Sequence, residues 1–295
     1  IAAFMMIDFL QLPYSRIILA GILPAVAYYG ALFIMADCEA AKTGLRGVPR
    51  NQLPDLRKTL IQGWQYILPI VTLIFLLMFF GYSPELSALY ATAIMVVIGL
   101  INRENRLTLK KVYLAFKNTA IDMMLVAITL SMAGIIVGCV QLSGLSYRLS
   151  MGLVNVAGGN VWLLLVLTAI ACLILGMGMT TSAVYVIMAT LVAPALVTIG
   201  FTSLASHFFV FYYGVAALIT PPVCPASYVA AGIANASPMR TGITASRLAI
   251  ITFMAPFIFI FQPAFLMEGT ATEVVLATVY VFIATIVLAL SLIHI

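Results

Sequence analysis

Residues 161–200 read VWLLLVLTAIACLILGMGMTTSAVYVIMATLVAPALVTIG, and residues 208–235 read FFVFYYGVAALITPPVCPASYVAAGIAN. Each stretch is apolar and is interrupted once, the first by a run rich in glycine and hydroxyl groups and the second by Thr-Pro-Pro. Between Met151 and Met239 there is no Asp, Glu, Lys or Arg, which indicates a segment inside a lipid bilayer. In a membrane, backbone groups freed by such breaks are tolerated only where protein or a water-filled cavity satisfies them. Paired broken helices therefore predict the binding site of a transporter.

The lengths of the arms predict the depth of the two breaks. As a helix, the apolar run from Val161 to Leu175 would rise roughly 22 Å, which is short of the roughly 30 Å hydrocarbon core. We therefore predict a re-entrant hairpin over residues 161–199 with its tip near the middle of the membrane. Each arm of the broken helix predicted over 208–236 also reaches about halfway. The alternative for a single break is an ordinary kinked helix, because proline and glycine are common in membrane spans.

The composition restricts the class of protein. The chain is 64% apolar and 8% charged, with a mean hydropathy of +1.18, which predicts an all-α polytopic membrane protein in the lipid bilayer. The net charge of +5 is then a signal of membrane topology, and we expect no nucleic-acid partner. The four cysteines form no CxxC pair, which argues against both a disulfide framework and a cysteine metal site.

The distribution of positive charge predicts which loops are cytoplasmic. If each span crosses once and the hairpin returns to its own side, loops 37–63, 102–118 and 237–247 share a side of the membrane. In chain order these three loops contain five, five and two Lys or Arg residues, which together are 12 of the 14 in the chain. The positive-inside rule places them in the cytoplasm, so the hairpin would enter from the outside.

The two breaks supply neutral oxygen atoms rather than charged groups. Unwound carbonyls and half-helix C-terminal ends bind Na⁺ in transporters, and half-helix N-termini favour anionic groups. The alternative for any one hydroxyl is a hydrogen bond back to its own helix. The residues predicted to bind ion or substrate are Gly176, Gly178, Thr180, Thr181 and Ser182 at the hairpin tip and Thr220, Pro221 and Pro222 in the broken helix.

The same stretch argues against proton coupling and against an enzyme. Proton-coupled carriers keep Asp, Glu or His as an intramembrane relay, and here only His207 is present, at the predicted outer boundary. The chain has no HExxH motif and no acidic metal-binding pair within the membrane, and His207 lacks a predicted buried partner to orient it. We therefore expect no enzymatic activity and no cofactor, with Na⁺ as the coupling ion.

Three stretches carry a resemblance to a known family: GMGMTTSAVYVIMATLVAPALVTIG (176–200), SHFFVFYYGVAALITPPVCPASYVAAGIANASPMRTG (206–242) and GIIVGCVQLSGL (134–145). They resemble the large membrane subunit of tripartite ATP-independent periplasmic (TRAP) transporters, especially the variant in which small and large subunits are fused. The hairpin tip of that family usually reads GMGLPTTAAY, and here Met179 and Thr180 replace Leu-Pro.

The resemblance implies an elevator-type ion transporter fold built from inverted repeats, in which the hairpin and broken helix belong to the second repeat. It implies a Na⁺-driven permease for organic acids, such as dicarboxylates and sialic acid, in the bacterial inner membrane. The implied partners are a periplasmic solute-binding protein and a small membrane subunit or its fused equivalent. The alternative is a binding-protein-independent symporter of similar inverted-repeat design, and a membrane enzyme is the third reading.

The resemblance also implies a division of the chain. Residues 1–63 would contain the end of the first repeat and a connecting span with its cytoplasmic loop, and 64–118 would form scaffold spans. Residues 119–247 would form the second-repeat transport domain, and 248–295 the C-terminal spans. Placed against the family, Ile1 falls in the broken helix after the first hairpin, so we expect the chain to correspond to the C-terminal half of the family's subunit only.

Overall fold

The computed structural model describes residues 2–45, 47–49, 52–101, 107–177 and 179–291, and the regular structure of these residues is helical. Four stretches are long and apolar enough to span a membrane, Tyr14–Thr43, Thr181–Thr198, Pro238–Phe261 and Ala271–Ser291. The predicted all-α polytopic class is therefore confirmed. The helices are α1 (Ala2–Leu10), α2 (Tyr14–Thr43), α3 (Leu56–Phe79), α4 (Pro84–Ile101), α5 (Leu109–Leu142), α6 (Leu145–Ala157), α7 (Val161–Gly176), α8 (Thr181–Leu191), α9 (Ala193–Thr198), α10 (Ser203–Ala216), α11 (Pro225–Ala234), α12 (Pro238–Leu248), α13 (Ile250–Phe261) and α14 (Ala271–Ser291).

Local capping chemistry determines where several of these helices begin. The side chain of Asp55 accepts a hydrogen bond from the backbone N–H of Arg57, so α3 starts well before the span predicted from Trp64. The side chain of Asn160 accepts from Leu163 N at the start of α7. Thr202 caps α10 in the same way, so the first arm of the broken helix begins at Ser203 rather than at the predicted position 208.

The region after the broken helix differs from the sequence-based expectation. Residues 237–246, expected to be a polar connection, form most of α12, in which Pro238 occupies the first turn that proline favours. The C-terminal spans expected over 248–295 include α13, which begins after Ala249 and ends at Phe261 before a short 3-10 turn over Pro263–Leu266. Helix α12 was not predicted because the polar residues of 238–248 are typical of a loop.

The chain forms two compact units. The first contains residues 1–12, 17–44 and 129–295, and the second contains 13–16 and 45–128. In the first unit α10 lies at the centre and packs against α1, α7, α8, α9 and α13, while α6 packs on the hairpin arms. Its largest fully buried side chains include Tyr185, Phe209, Phe259 and Phe265, so the broken helix is surrounded by the core rather than placed at its edge.

The return arm of the hairpin is divided by Pro194, which cannot donate to the carbonyl of Thr190. Ala195 N donates to Val192 O instead of continuing the α-helical pattern. The neighbouring carbonyl of Leu191 accepts a hydrogen bond from the hydroxyl of Ser150 in α6, at 3.2 Å. A side chain from another helix thus compensates for a local break, which is how such breaks are accommodated in apolar surroundings.

In the second unit α3 and α4 pack against each other as a helical hairpin. After α4 the chain returns so that Leu107 N donates to Gly99 O at 2.8 Å, and α5 then begins at Leu109. Within the predicted cytoplasmic loops, Arg46, Arg50, Asn51 and residues 102–106 lie outside the described residues.

Candidate functional site

The hairpin tip and the broken helix contact each other through two glycines. A Cβ atom added to Gly176, the last residue of α7, would lie 2.7 Å from Ala217 Cβ and 3.2 Å from Gly214 O. A Cβ atom added to Gly214 would lie 2.5 Å from Cγ1 of Val184, in the first turns of α8. The end of α7 and the beginning of α8 therefore both rest on the last turn of α10, directly before the second break. The two sequence elements predicted to form one site lie together in the fold.

The hydroxyl-bearing residues of the hairpin tip start α8. Thr180 precedes the helix in an extended conformation and is exposed, Thr181 is half-buried, and Ser182 is buried, with 5% of its surface exposed. Within the described part of the chain, no hydrogen bond is recorded for these three hydroxyls, so the expected alternative of bonding back to the helix is not observed for them. Gly178 lies outside the described residues.

The break in the second element is a turn over residues 217–224 between α10 and α11. The Thr220 hydroxyl donates to Ala216 O at 2.7 Å, so here the helix-bonding alternative is observed. A hydroxyl that donates one hydrogen bond keeps its oxygen lone pairs, so Thr220 can still act as a ligand. Pro221 is half-buried and Pro222 is exposed.

Several carbonyls that the sequence leaves without helical partners are paired by donors within the fold. Leu218 O accepts from Ala226 N at 3.1 Å, and the Tyr228 hydroxyl donates to Pro222 O. Ile219 O accepts from the hydroxyls of Ser227 and Ser246, at 3.4 and 3.1 Å. Protein groups thus satisfy several of the carbonyls that the break frees, and these hydrogen bonds hold the turn in one conformation.

A cavity of about 470 Å³ adjoins the break on the side of α2. Ala216, Leu218 and Ile219 line it together with aromatic side chains that include Tyr28 and Tyr212. Irregular backbone at membrane depth is tolerated where it lines a cavity, and this arrangement satisfies that condition.

Helix α12, which the sequence did not connect with the break, also holds it. A Cβ atom on Gly242 of α12 would lie 2.7 Å from Cys224 Sγ and 3.0 Å from Pro221 Cγ, so α12 packs closely on the turn. Arg247, next to Ser246, forms an ion pair of 2.8 Å with Glu39 at the end of α2. This contact is consistent with the predicted common side of loops 37–63 and 237–247.

A buried polar pair lies between α8 and α10. The Tyr185 hydroxyl and His207 Nδ1 are hydrogen-bonded at 2.8 Å, and the ring of Phe9 from α1 lies edge-on to Tyr185 with centroids 5.8 Å apart. His207 is 7% exposed. The expectation that His207 lacks a buried partner is wrong, because its partner lies 22 residues away on an antiparallel helix and no local pattern marks it.

A Tyr185→Phe variant is expected to lose about 1–3 kcal/mol of stability, since it leaves a buried imidazole nitrogen without its partner. The measurement is thermal unfolding of the purified chain in detergent. Tyr280→Phe is the control, because Tyr280 in α14 is largely exposed and its hydroxyl should be worth less than about 0.5 kcal/mol. Equal unfolding temperatures for the two variants would show that the buried pair contributes nothing.

The donor chemistry at the two breaks favours a cation that accepts neutral oxygen ligands. Among the described residues there is no group of three His, Cys, Asp or Glu side chains that could hold a metal ion. Hydroxyl and carbonyl oxygens are instead the polar groups present at the two breaks, and ligands of this kind suit hard cations rather than zinc or iron.

The chain matches a protein-family model. Residues 1–289 match the family model described as tripartite ATP-independent periplasmic transporter, DctM component. No curated protein matches the chain. Because the match extends over almost all of the sequence, the expected restriction to the C-terminal half of the family's subunit is not borne out.

Proposed function

The chain belongs to the DctM family of tripartite ATP-independent periplasmic transporters, and we propose that it forms the Na⁺-coupled permease of a binding-protein-dependent carrier for organic acids. It is a multi-pass membrane protein and a permease component of such a transporter. The proposal adds the coupling ion, the substrate class, a periplasmic solute-binding protein and a small membrane subunit or fused equivalent as partners, and the bacterial inner membrane as the location.

The observation that carries the proposal is the contact between the hairpin end and the last turn of α10. Gly176 and Gly214 permit this approach because neither has a side chain. Helices α7, α8 and α10 therefore form a bundle. The start of α8, with its hydroxyl groups, and the turn that contains Thr220 lie at the same end of this bundle. A transporter site formed by two discontinuous helices requires this geometry.

The proposed Na⁺ ligands are oxygens that the fold leaves available at the two breaks. These are the Ser182 hydroxyl, the lone pairs of the Thr220 hydroxyl, and the backbone carbonyls of Ala217 and Thr220. For these two carbonyls no hydrogen bond from the described residues is recorded. The internal hydrogen bonds of Leu218, Ile219 and Pro222 support the proposal in another way, because a turn that is already rigid loses little entropy when it binds an ion.

The proposed anionic group of the substrate binds at the first turn of α8. The first N–H groups of a helix have no partner within it, and the helix dipole places partial positive charge there. A carboxylate is therefore favoured at Thr181 and Ser182 although no Lys or Arg occurs between residues 151 and 239. An elevator-type movement of the first unit's hairpin and broken helix is part of the proposal and follows the family's architecture.

Alanine substitutions at the two breaks test the ion site. In the assembled transporter, Ser182→Ala and Thr220→Ala are each expected to weaken apparent Na⁺ affinity by about ten- to a hundredfold, because each removes one of several ligands worth about 1–3 kcal/mol. The readout is the Na⁺ dependence of substrate uptake into proteoliposomes.

Thr198→Ala is the matched control for Thr220→Ala. The Thr198 hydroxyl also donates to the carbonyl four residues before it, Pro194 O at 2.8 Å, but it lies at the far end of the hairpin. The control should leave Na⁺ affinity unchanged. If all three variants show wild-type Na⁺ dependence, the breaks do not bind the coupling ion.

A further inference from the structure

A second cavity lies in the other compact unit, apart from the proposed transport site. It has a volume of about 550 Å³, within the range of roughly 300–1,000 Å³ typical of small-molecule pockets. Three helices line it: α3 through Tyr66, α4 through Met95 and Gly99, and the first turns of α5 through Ala115 and Phe116. Most of its lining is apolar, so its occupant must be largely apolar as well.

The cavity lies near the end of the unit where the positive charge is concentrated. Because α3 and α4 form a hairpin, the first residues of α3 lie at the same end as the last residues of α4. The hydrogen bond from Leu107 to Gly99 brings the start of α5 to that end too. Arg57 and Lys58 lie in the first turn of α3, and Lys110 and Lys111 lie in the first turn of α5.

Lys111 lies at the edge of the α5 face that lines the cavity, one turn before Ala115, whereas Lys110 lies on the opposite side of α5. Lys58 lies on the face of α3 that lines the cavity, two turns before Gln65. On α3 the distance along the axis from Lys58 to Tyr66 is about 12 Å. Tyr66 both lines the cavity and is about half exposed, and Trp64 beside it is also exposed, which places this end at the membrane interface.

We propose that this cavity binds one anionic phospholipid, with an acyl chain between α3, α4 and α5 and the phosphate of the head group at Lys58 and Lys111. Basic pockets between membrane helices bind such head groups, and each cation near the membrane surface contributes about 1 kcal/mol. A zwitterionic lipid would match the apolar cavity but not the positive charge. The inference is independent of the proposed coupling ion and substrate.

The test measures thermal stabilisation of the delipidated chain in detergent by three added probes: dioleoylphosphatidylglycerol, dioleoylphosphatidylcholine and inorganic phosphate. Phosphatidylglycerol is expected to stabilise the chain at the lowest concentration. The double variant Lys58→Gln/Lys111→Gln should require about thirtyfold more phosphatidylglycerol for the same shift, since two contributions of about 1 kcal/mol are lost.

Three further variants make the result specific. Arg148→Gln/Arg240→Gln removes the same charge from exposed positions of the other unit and should leave the phosphatidylglycerol response unchanged. Ala115→Phe fills the cavity without changing charge and should weaken the response at least tenfold, whereas Ala120→Phe at an exposed position of α5 should not.

Three results would overturn the proposal. They are an equal response to phosphatidylcholine, the same stabilisation by inorganic phosphate alone, and an unchanged response of Ala115→Phe. The last comparison remains decisive even if the double lysine variant does not fold.

Discussion

A Gly176→Ala variant is expected to lose substrate uptake and about 1–3 kcal/mol of stability. The added Cβ atom would lie 2.7 Å from Ala217 Cβ and 3.2 Å from the backbone oxygen of Gly214. Neither neighbour can rotate away, because one is a side chain of a single carbon and the other is backbone. The hairpin end must therefore move off α10, and forced overpacking of this kind costs about 1–3 kcal/mol. The measurements are thermal unfolding in detergent and uptake by the assembled transporter.

Gly152→Ala in α6 provides the control for this substitution. A Cβ atom at Gly152 meets nothing within 4 Å, so the only expected effect is the higher helix propensity of alanine, worth up to about 1 kcal/mol in favour of the fold. If Gly176→Ala is as stable and as active as Gly152→Ala, the close contact between α7 and α10 is not required for folding or transport.

The interrupted elements could be predicted from the sequence because helix breaks have local causes. A Pro-Pro pair removes two donors, and a Gly-rich run between apolar arms of limited length favours a turn. The structure places the breaks of α7–α8 and α10–α11 at the predicted positions. The helix ends were less predictable, because caps such as Asp55 and Thr202 extend helices into segments that appear polar.

The contacts that hold the site could not be predicted in the same way, because they join residues far apart in the chain. Ser246 donates to Ile219 O across 27 residues, and Tyr185 pairs with His207 across 22. Gly242 faces Cys224 only because α12 folds back onto the turn. A single sequence contains no periodic signal for such pairs. For the same reason the sequence could not identify which donors satisfy the freed carbonyls of the Thr-Pro-Pro turn.

Removing Na⁺ is expected to reduce uptake to background, whereas collapsing a pH gradient should change it little. The two breaks present hydroxyl and carbonyl oxygens, which bind Na⁺ without releasing or accepting a proton. Between residues 151 and 239 there is no Asp, Glu, Lys or Arg. His207, the one histidine of that stretch, is buried against Tyr185 and Phe9 and is not among the proposed ion ligands.

The most direct measurement is uptake into proteoliposomes that contain the assembled transporter, with its solute-binding protein and substrate outside. One set of vesicles has an inward Na⁺ gradient at equal pH, and the other has an inward proton gradient with Na⁺ absent. We predict accumulation in the first set and background uptake in the second. Uptake at the full rate on the proton gradient without Na⁺ would contradict Na⁺ binding at the two breaks as the source of coupling.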